Sequence, residues 1–162
     1  MAIFRQLLMA IVLVVIFAAG VWFWRSCAES DETKIQRVIE SARIAMQDQS
    51  LRGVMGLLAP DYHDNLGLTL DTVRPMVQRL FLAVQGLRID VNHRSEPLVI
   101  STGERRMATV RLAVVVSGVV QGQPFYLMGT PSAPVEVTVT FVQDGRRWLV
   151  RELSGVPQPR FE

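Results

Sequence analysis

Two groups of polar side chains in this sequence have the chemistry needed for proton transfer. The first group is Tyr62, His63 and Asp64, which places a hydroxyl, an imidazole and a carboxyl on consecutive residues. The second is His93 and Glu152, each of which shares the alternation of the apolar residues beside it. If those segments are strands, both side chains point to an apolar interior. Desolvation there tunes a carboxyl or imidazole for general acid–base catalysis, so the pocket candidates are Tyr62, Asp64, His93 and Glu152.

Each candidate also has a purely structural explanation. A histidine at a strand end reaches solvent, and a bulge near the end of the chain turns Glu152 outward. A Tyr-His-Asp cluster caps a turn while the tyrosine ring is buried. Because each candidate has such an explanation, the catalytic residues are unknown and a non-catalytic role is favoured.

Other chemistries lack their residues. Cys27 is the only cysteine, and His63 and His93 are thirty residues apart without an HExxH motif, so no metal site is expected. The sequence contains neither a glycine-rich phosphate loop nor GxSxG, so no cofactor is expected. A net charge of +2 over 162 residues, without a concentrated basic face, argues against a nucleic-acid partner.

Helices precede the strands that must position these residues. Apolar residues recur at intervals of three and four in three segments, which predicts amphipathic helices. The first helix covers about residues 31–48 with Ser30 as its N-cap, and the second runs from Ser50 to Pro60. After a turn-rich connector at residues 61–68, the third helix starts near Thr69 or Thr72 and ends at Gly86. Thr72 is the favoured N-cap, because a proline such as Pro75 is tolerated only in the first turn.

From Leu87 onward the apolar period changes from about 3.6 to 2, which predicts strands. The predicted strands cover about residues 87–94, 105–121, 135–141 and 146–153. The second is long and rich in valine and is expected near the sheet centre, whereas Asp144-Gly145 predicts a hairpin between the last two. The order predicts an α+β domain, with three helices packed on a curved antiparallel sheet of four or more strands.

An apolar loop interrupts the strands. Residues 122–134 carry Phe125, Tyr126, Leu127 and Met128 between glycines and prolines. Such a loop packs under the sheet, closes a cavity as a lid, or contacts a partner.

The most apolar segment is residues 7–24, which carry no charge. As a helix they span about 27 Å, close to the thickness of the bilayer's hydrocarbon core. We therefore expect a transmembrane anchor at residues 1–25, a linker at 26–33, and a single-pass protein of the inner (plasma) membrane with its domain on the periplasmic side. Cleavage as a signal peptide and lipidation of Cys27 are alternatives, and the Lys/Arg distribution taken alone favours the opposite topology.

Two stretches resemble the nuclear-transport-factor-2-like superfamily. They are Leu58-Ala59-Pro60-Asp61-Tyr62 leading to Gly67-Leu68-Thr69, and the closing hairpin of residues 144–150. The resemblance covers residues 31–155 and places the domain at 34–156, with a tail at 157–162. It implies a cone-shaped α+β fold, also called cystatin-like, in which a bent sheet wraps around the helices and leaves a cavity. That cavity serves isomerase-like and dehydratase-like enzymes, ligand-binding proteins and dimeric modules, and fold alone does not choose among them.

Three functions follow from this reading. The first is a membrane-anchored bacterial envelope protein whose domain binds a small apolar ligand or a partner protein without catalysis. The second is an isomerase- or dehydratase-type enzyme that uses His93 with Tyr62 or Asp64. The third is a scaffold in which two copies form a homodimer through the sheet.

Overall fold

Three helices lie in the computed structural model, which describes residues 29–95, 97–102 and 105–157. We number them α1 (Asp31–Gln47), α2 (Leu51–Met55) and α3 (Leu70–Ala83). Asp31 and Glu32 lie in the first turn of α1, where carboxylates interact favourably with the helix dipole. The Ser50 hydroxyl caps α2 by accepting a hydrogen bond from the Gly53 N–H at 3.2 Å.

Helix α3 begins at the earlier of the two starts that the sequence predicts. The backbone N–H of Thr69 donates to the Thr72 hydroxyl at 2.8 Å, as in a capping box. Thr69, and not Thr72, is therefore the N-cap, and Pro75 lies inside the helix.

Seven strands form one sheet within the described residues, in the order β1-β7-β6-β4-β2, and β3 and β5 also pair with β4. The strands are β1 (Leu58–Asp64), β2 (Gln85–His93), β3 (Leu98–Thr102), β4 (Arg105–Val120), β5 (Gln123–Met128), β6 (Val135–Asp144) and β7 (Arg147–Ser154). Strand β4 has 16 residues, so β2 and β3 share one of its edges while β6 and β5 share the other. The long valine-rich strand is therefore central, as predicted.

Two strands correct the predicted fold. Strand β1 replaces the end of the predicted second helix and the first half of the expected connector. It pairs in parallel with β7, with Leu58 opposite Val150, so the sheet is mixed and not purely antiparallel. Pro60 is tolerated there because β1 is an edge strand, where one row of backbone groups needs no partner. Strand β5 lies in the segment expected to be an apolar loop and pairs with β4.

The predicted membrane anchor is also corrected. Of the helices in the described part of the chain, none is long and apolar enough to cross a bilayer. A fold that includes a transmembrane helix, and the single-pass inner-membrane localisation that follows from it, are therefore not what the structure shows. Residues 7–24, on which both predictions depend, lie outside the described residues. The domain boundaries drawn from the sequence stay predictions.

Two apolar clusters hold the helices on the sheet. The larger joins Ile35 and Ile39 of α1 to the inner face of the sheet, including Val110, Phe141 and Trp148. The smaller lies between β1 and α3 and contains the buried residues Tyr62, Val73 and Val77. Both clusters follow the predicted stripes of the helices, and they leave a space between α1 and the sheet.

Candidate functional site

A cavity of about 300 Å³ lies between α1 and the inner face of the sheet. Helix α1 contributes one wall, and β2, β4, β6 and β7 contribute the other, with Met128 at the end of β5 and Val156 after β7. Nearly all of the lining is hydrocarbon. The cavity can therefore receive an apolar molecule but offers it few hydrogen bonds.

The cavity follows from the residue pattern of its two walls. On β4, Leu112, Val114 and Val116 alternate onto the inner face. On α1, Val38 and Ala42 lie one turn apart on the face that meets them. Because this helical face carries the small side chain of Ala42, the space opposite the strands stays unfilled.

Arg43 is the only ionisable side chain among the described residues that line the cavity. It is 31% exposed, so it stands at the boundary between the cavity and solvent. Its Nε donates to Glu40 Oε2 at 2.8 Å, its Nη2 to Glu40 Oε1 at 2.5 Å, and its Nη1 to Gln47 Oε1 at 2.6 Å. Gln47 Nε2 in turn donates to the Ile89 carbonyl oxygen at 3.5 Å, which links this rim to β2.

Hydrogen bonding and charge keep the rim ionised. The hydrogen bond from Arg43 holds the pKa of Glu40 below its ordinary value. The same hydrogen bond raises the pKa of Arg43, and the negative charges of Glu40 and Asp90 act in the same direction. An arginine in this setting stays protonated, so it can donate hydrogen bonds but cannot serve as a general base.

Tyr62 lies outside the cavity lining. Its side chain is buried, with 6% exposure, against Val73 and Val77 of α3. Burial, with a smaller contribution from the charge of Asp64, raises the pKa of Tyr62 to about 12. The Tyr62 side chain is therefore packed in the smaller apolar cluster, and its hydroxyl stays protonated at neutral pH.

Asp64 and His63 have structural partners. Asp64 Oδ1 accepts hydrogen bonds from the backbone N–H groups of Leu66 at 2.9 Å and Leu68 at 2.8 Å, which closes the turn after β1. His63 is exposed, and its Nε2 lies 3.7 Å from Glu152 Oε2.

His93 and Glu152 do not enter the cavity either. His93 is the exposed last residue of β2, opposite Leu112 and therefore near the cavity wall, but it is not part of the lining. On β7, Val150 pairs with Phe141 and Glu152 with Thr140, so Arg151 is the extra residue of a β-bulge. The bulge leaves Val150 and Leu153 in the lining and Glu152 beside His63.

The predicted lid or contact segment divides between two environments. Met128 lines the cavity and Leu127 is half-buried. Phe125 and Tyr126 are exposed, at 58% and 49%. Whether this segment acts as a lid or as a partner contact stays a prediction.

Sequence reasoning missed Arg43 and its neighbours. Their signal is the spacing of Glu40, Arg43 and Gln47 at intervals of three and four on α1, which brings their side chains together. No metal site accompanies them, because three His, Cys, Asp or Glu side chains do not meet anywhere in the described ranges.

Comparison with known proteins identifies the fold. No family model and no curated protein matches the chain. Among solved structures, it is similar to a putative aromatic ring hydroxylase from Novosphingobium aromaticivorans, with a TM-score of 0.61 and 15% identity over 80% of this chain and 90% of that chain. A putative scytalone dehydratase from the same organism gives a TM-score of 0.57 and 14% identity over 75% and 79%.

A third solved structure carries the fold name itself. It is an NTF2-like protein of unknown function from Pseudomonas putida, with a TM-score of 0.51 and 14% identity over 81% of this chain and 89% of that chain. At these identities the likeness shows the fold alone. The domain has the NTF2-like, or cystatin-like, α+β fold that the resemblance predicts.

Proposed function

We propose that this domain binds a small apolar ligand in the cavity between α1 and the sheet, without converting it. The observation that carries the proposal is the hydrocarbon lining of a cavity of about 300 Å³. Burial of apolar surface is the main source of affinity in such a site. A cavity of about 150 Å³ with similar walls holds benzene, so this one fits a molecule of about two fused rings.

Catalysis is not part of the proposal, because the candidate acid–base groups are elsewhere. Tyr62 is packed against α3, Asp64 closes a turn, and His93 is exposed at a strand end. A general acid or base must come within hydrogen-bond reach of the reacting atom. Among the described lining residues only Arg43 is ionisable, and it stays protonated. The names of the hydroxylase-like and dehydratase-like structures therefore bear on the fold and not on a reaction of this chain.

The proposal is tested by titrating the purified full chain with N-phenyl-1-naphthylamine, a neutral probe that carries a phenylamino group on a naphthalene ring and whose fluorescence rises in apolar surroundings. We expect saturable binding of one probe per chain. Ala42→Leu extends a side chain into the cavity and should weaken binding at least about tenfold. Ala83→Leu makes the same chemical change at an exposed site at the end of α3 and should leave binding unchanged.

Two results would contradict ligand binding in this cavity. One is the lack of saturable binding by the parent protein. The other is equal affinity in the parent and Ala42→Leu proteins, provided that both show the same far-ultraviolet circular dichroism. Native mass spectrometry of the purified protein should also show a co-purifying compound of fixed mass.

Self-association is a second candidate function, favoured by strand β5. Phe125 and Tyr126 are exposed on it, and among the described strands β5 pairs with β4 alone, so its other edge is open. An open edge is a template for pairing with the same strand of a second copy. Light scattering after size exclusion should give a dimer that Tyr126→Lys converts to a monomer. A parent protein that stays monomeric at high concentration would exclude this candidate.

A further inference from the structure

The polar rim of the cavity is formed by the Arg43 guanidinium, which is fixed in position by hydrogen bonds but still has N–H groups without an acceptor. Arginine has five N–H donors, and Arg43 directs three of them at the oxygens of Glu40 and Gln47. Two N–H groups of Arg43 therefore have no acceptor among the described residues. Arg43 is the ionisable side chain among the described lining residues, so these two N–H groups are the charged donors available to an oxygen of a bound ligand.

The charges at this rim decide which kind of oxygen fits. Glu40 binds the guanidinium through both of its oxygens, and Asp90 of β2 lies close enough for its charge to act on Arg43. One positive charge thus faces two negative charges. A ligand carboxylate placed here would add a third negative charge, whereas a carbonyl oxygen accepts from the guanidinium without that repulsion.

From this geometry we infer that the ligand carries one neutral hydrogen-bond acceptor of the carbonyl type, which Arg43 binds at the rim while an apolar body of about two rings fills the cavity. This inference rests on the proposed ligand-binding function. Glu40 acts as a specificity-determining residue, because it occupies the guanidinium and so excludes anionic ligands of the same shape.

Three probes with one ring system separate these contributions. They are 2-ethylnaphthalene, which has no acceptor, 2-acetylnaphthalene, which has a carbonyl, and 2-naphthoate, which has a carboxylate. Each is titrated against the purified full chain by competition with N-phenyl-1-naphthylamine. A hydrogen bond to a charged donor predicts that the ketone binds about tenfold more tightly than the hydrocarbon. The carboxylate should bind more weakly than the hydrocarbon.

Substitutions at the rim then assign the effect to Arg43 and Glu40. Arg43→Met keeps an apolar side chain at the cavity and should abolish the advantage of the ketone while the hydrocarbon still binds. Glu40→Gln removes the competing charge and should raise the affinity for 2-naphthoate up to about fivefold. Arg74→Met, at an exposed position of α3, and Glu32→Gln, at an exposed position of α1, are the matched controls and should change none of the three affinities.

The outcomes distinguish this inference from the function it rests on. If none of the three naphthalenes binds, both the proposed function and the inference fail. If 2-ethylnaphthalene binds and the ketone binds no better, or if the ketone keeps its advantage in Arg43→Met, only the inference fails. Binding of 2-naphthoate by the parent protein as tight as that of the ketone would likewise overturn the role given to Glu40.

Discussion

Asp31, the first residue of α1, connects this helix to the sheet through an ion pair and a hydrogen bond. Its side chain is only 14% exposed, and its two oxygens serve three partners. Asp31 Oδ2 lies 2.6 Å from Arg106 Nη2 on β4, and Oδ1 accepts from Trp148 Nε1 on β7 at 3.4 Å and from Lys34 Nζ at 3.4 Å. Asp31→Ala removes all of these contacts at once, so it is the substitution that best tests how α1 is held over the cavity.

The expected cost of Asp31→Ala combines three losses. The indole N–H of buried Trp148 loses its acceptor, which costs about 1–3 kcal/mol. The carboxylate in the first turn of α1 contributes about 0.3–1 kcal/mol through the helix dipole. Arg106 is 46% exposed, so its ion pair adds no more than about 1 kcal/mol. Together these terms lower the free energy of unfolding by about 1–5 kcal/mol. Asp31→Asn keeps an acceptor for Trp148 and should lower it by about 1 kcal/mol.

Urea unfolding followed by far-ultraviolet circular dichroism measures both variants, with the fluorescence of Trp148 and the other tryptophans as a second probe. The matched control is Asp71→Ala, which removes an acidic residue from the first turn of α3. It should cost no more than about 1 kcal/mol, because only the dipole contribution is lost. If Asp31→Ala destabilises the protein no more than Asp71→Ala does, Asp31 does not hold α1 on the sheet.

Three further predictions test the packing around the sheet. A Cβ at Gly118 would overlap Cγ1 of Val84, so Gly118→Ala should cost about 1–3 kcal/mol in urea unfolding, and a double change with Val84→Ala should recover part of it. If the two costs simply add, the overlap is not the cause. Gly155 has a φ of +84° and a Cβ there would meet the Glu136 carbonyl oxygen at 2.5 Å, whereas Gly67, at +79°, has open space. Gly155→Ala should therefore unfold at lower urea than Gly67→Ala, and equal midpoints would contradict this. The pKa of Tyr62 is raised from 10.0 to about 12, so the unfolded chain releases this proton first and stability should fall as the pH rises from 10 to 12. Tyr62→Phe should remove this slope, and tyrosinate absorbance in Tyr126→Phe should follow a pKa near 12; a pKa near 10 would refute the assignment.

Local patterns predict most of the elements because their causes are local. The stripe of α1 at spacings of three and four, and the alternation of β4, need only one amphipathic face each. Strand β1 escapes this reasoning because its partner β7 lies about ninety residues later and pairs with it in parallel. Pro60 and the polar residues after it also resemble a turn as much as a strand.

The site is harder to predict than the fold because it depends on distances between elements. The alternation of side chains along β7 predicts that Glu152 points inward, but the β-bulge at Arg151 reverses this orientation. Neither a glycine nor another local feature of the sequence marks the bulge. The alternation along β2 places His93 on the predicted inner face, but β2 ends at this residue and its side chain is exposed. The cavity itself is a gap between α1 and β4, and the width of such a gap cannot be predicted from a residue pattern.

The cavity can be filled by a larger side chain or by a ligand, and comparing the two effects on stability tests whether the cavity is a ligand site. The leucine in Ala42→Leu buries several additional carbon atoms, which at about 0.8 kcal/mol per methylene should raise the free energy of unfolding by about 1–2 kcal/mol. A bound ligand also stabilises the folded protein, by about 2.7 kcal/mol at a free concentration one hundred times its dissociation constant.

Because the leucine side chain and the ligand occupy the same space, their stabilising effects should not add. Urea unfolding of the parent and Ala42→Leu proteins, each with and without 2-acetylnaphthalene, measures this directly. The parent should be stabilised by the ligand, and Ala42→Leu should be more stable than the parent but insensitive to it. Equal ligand stabilisation of both proteins would place the binding site outside this cavity. Destabilisation by Ala42→Leu would instead show that α1 and β4 approach too closely to admit a ligand.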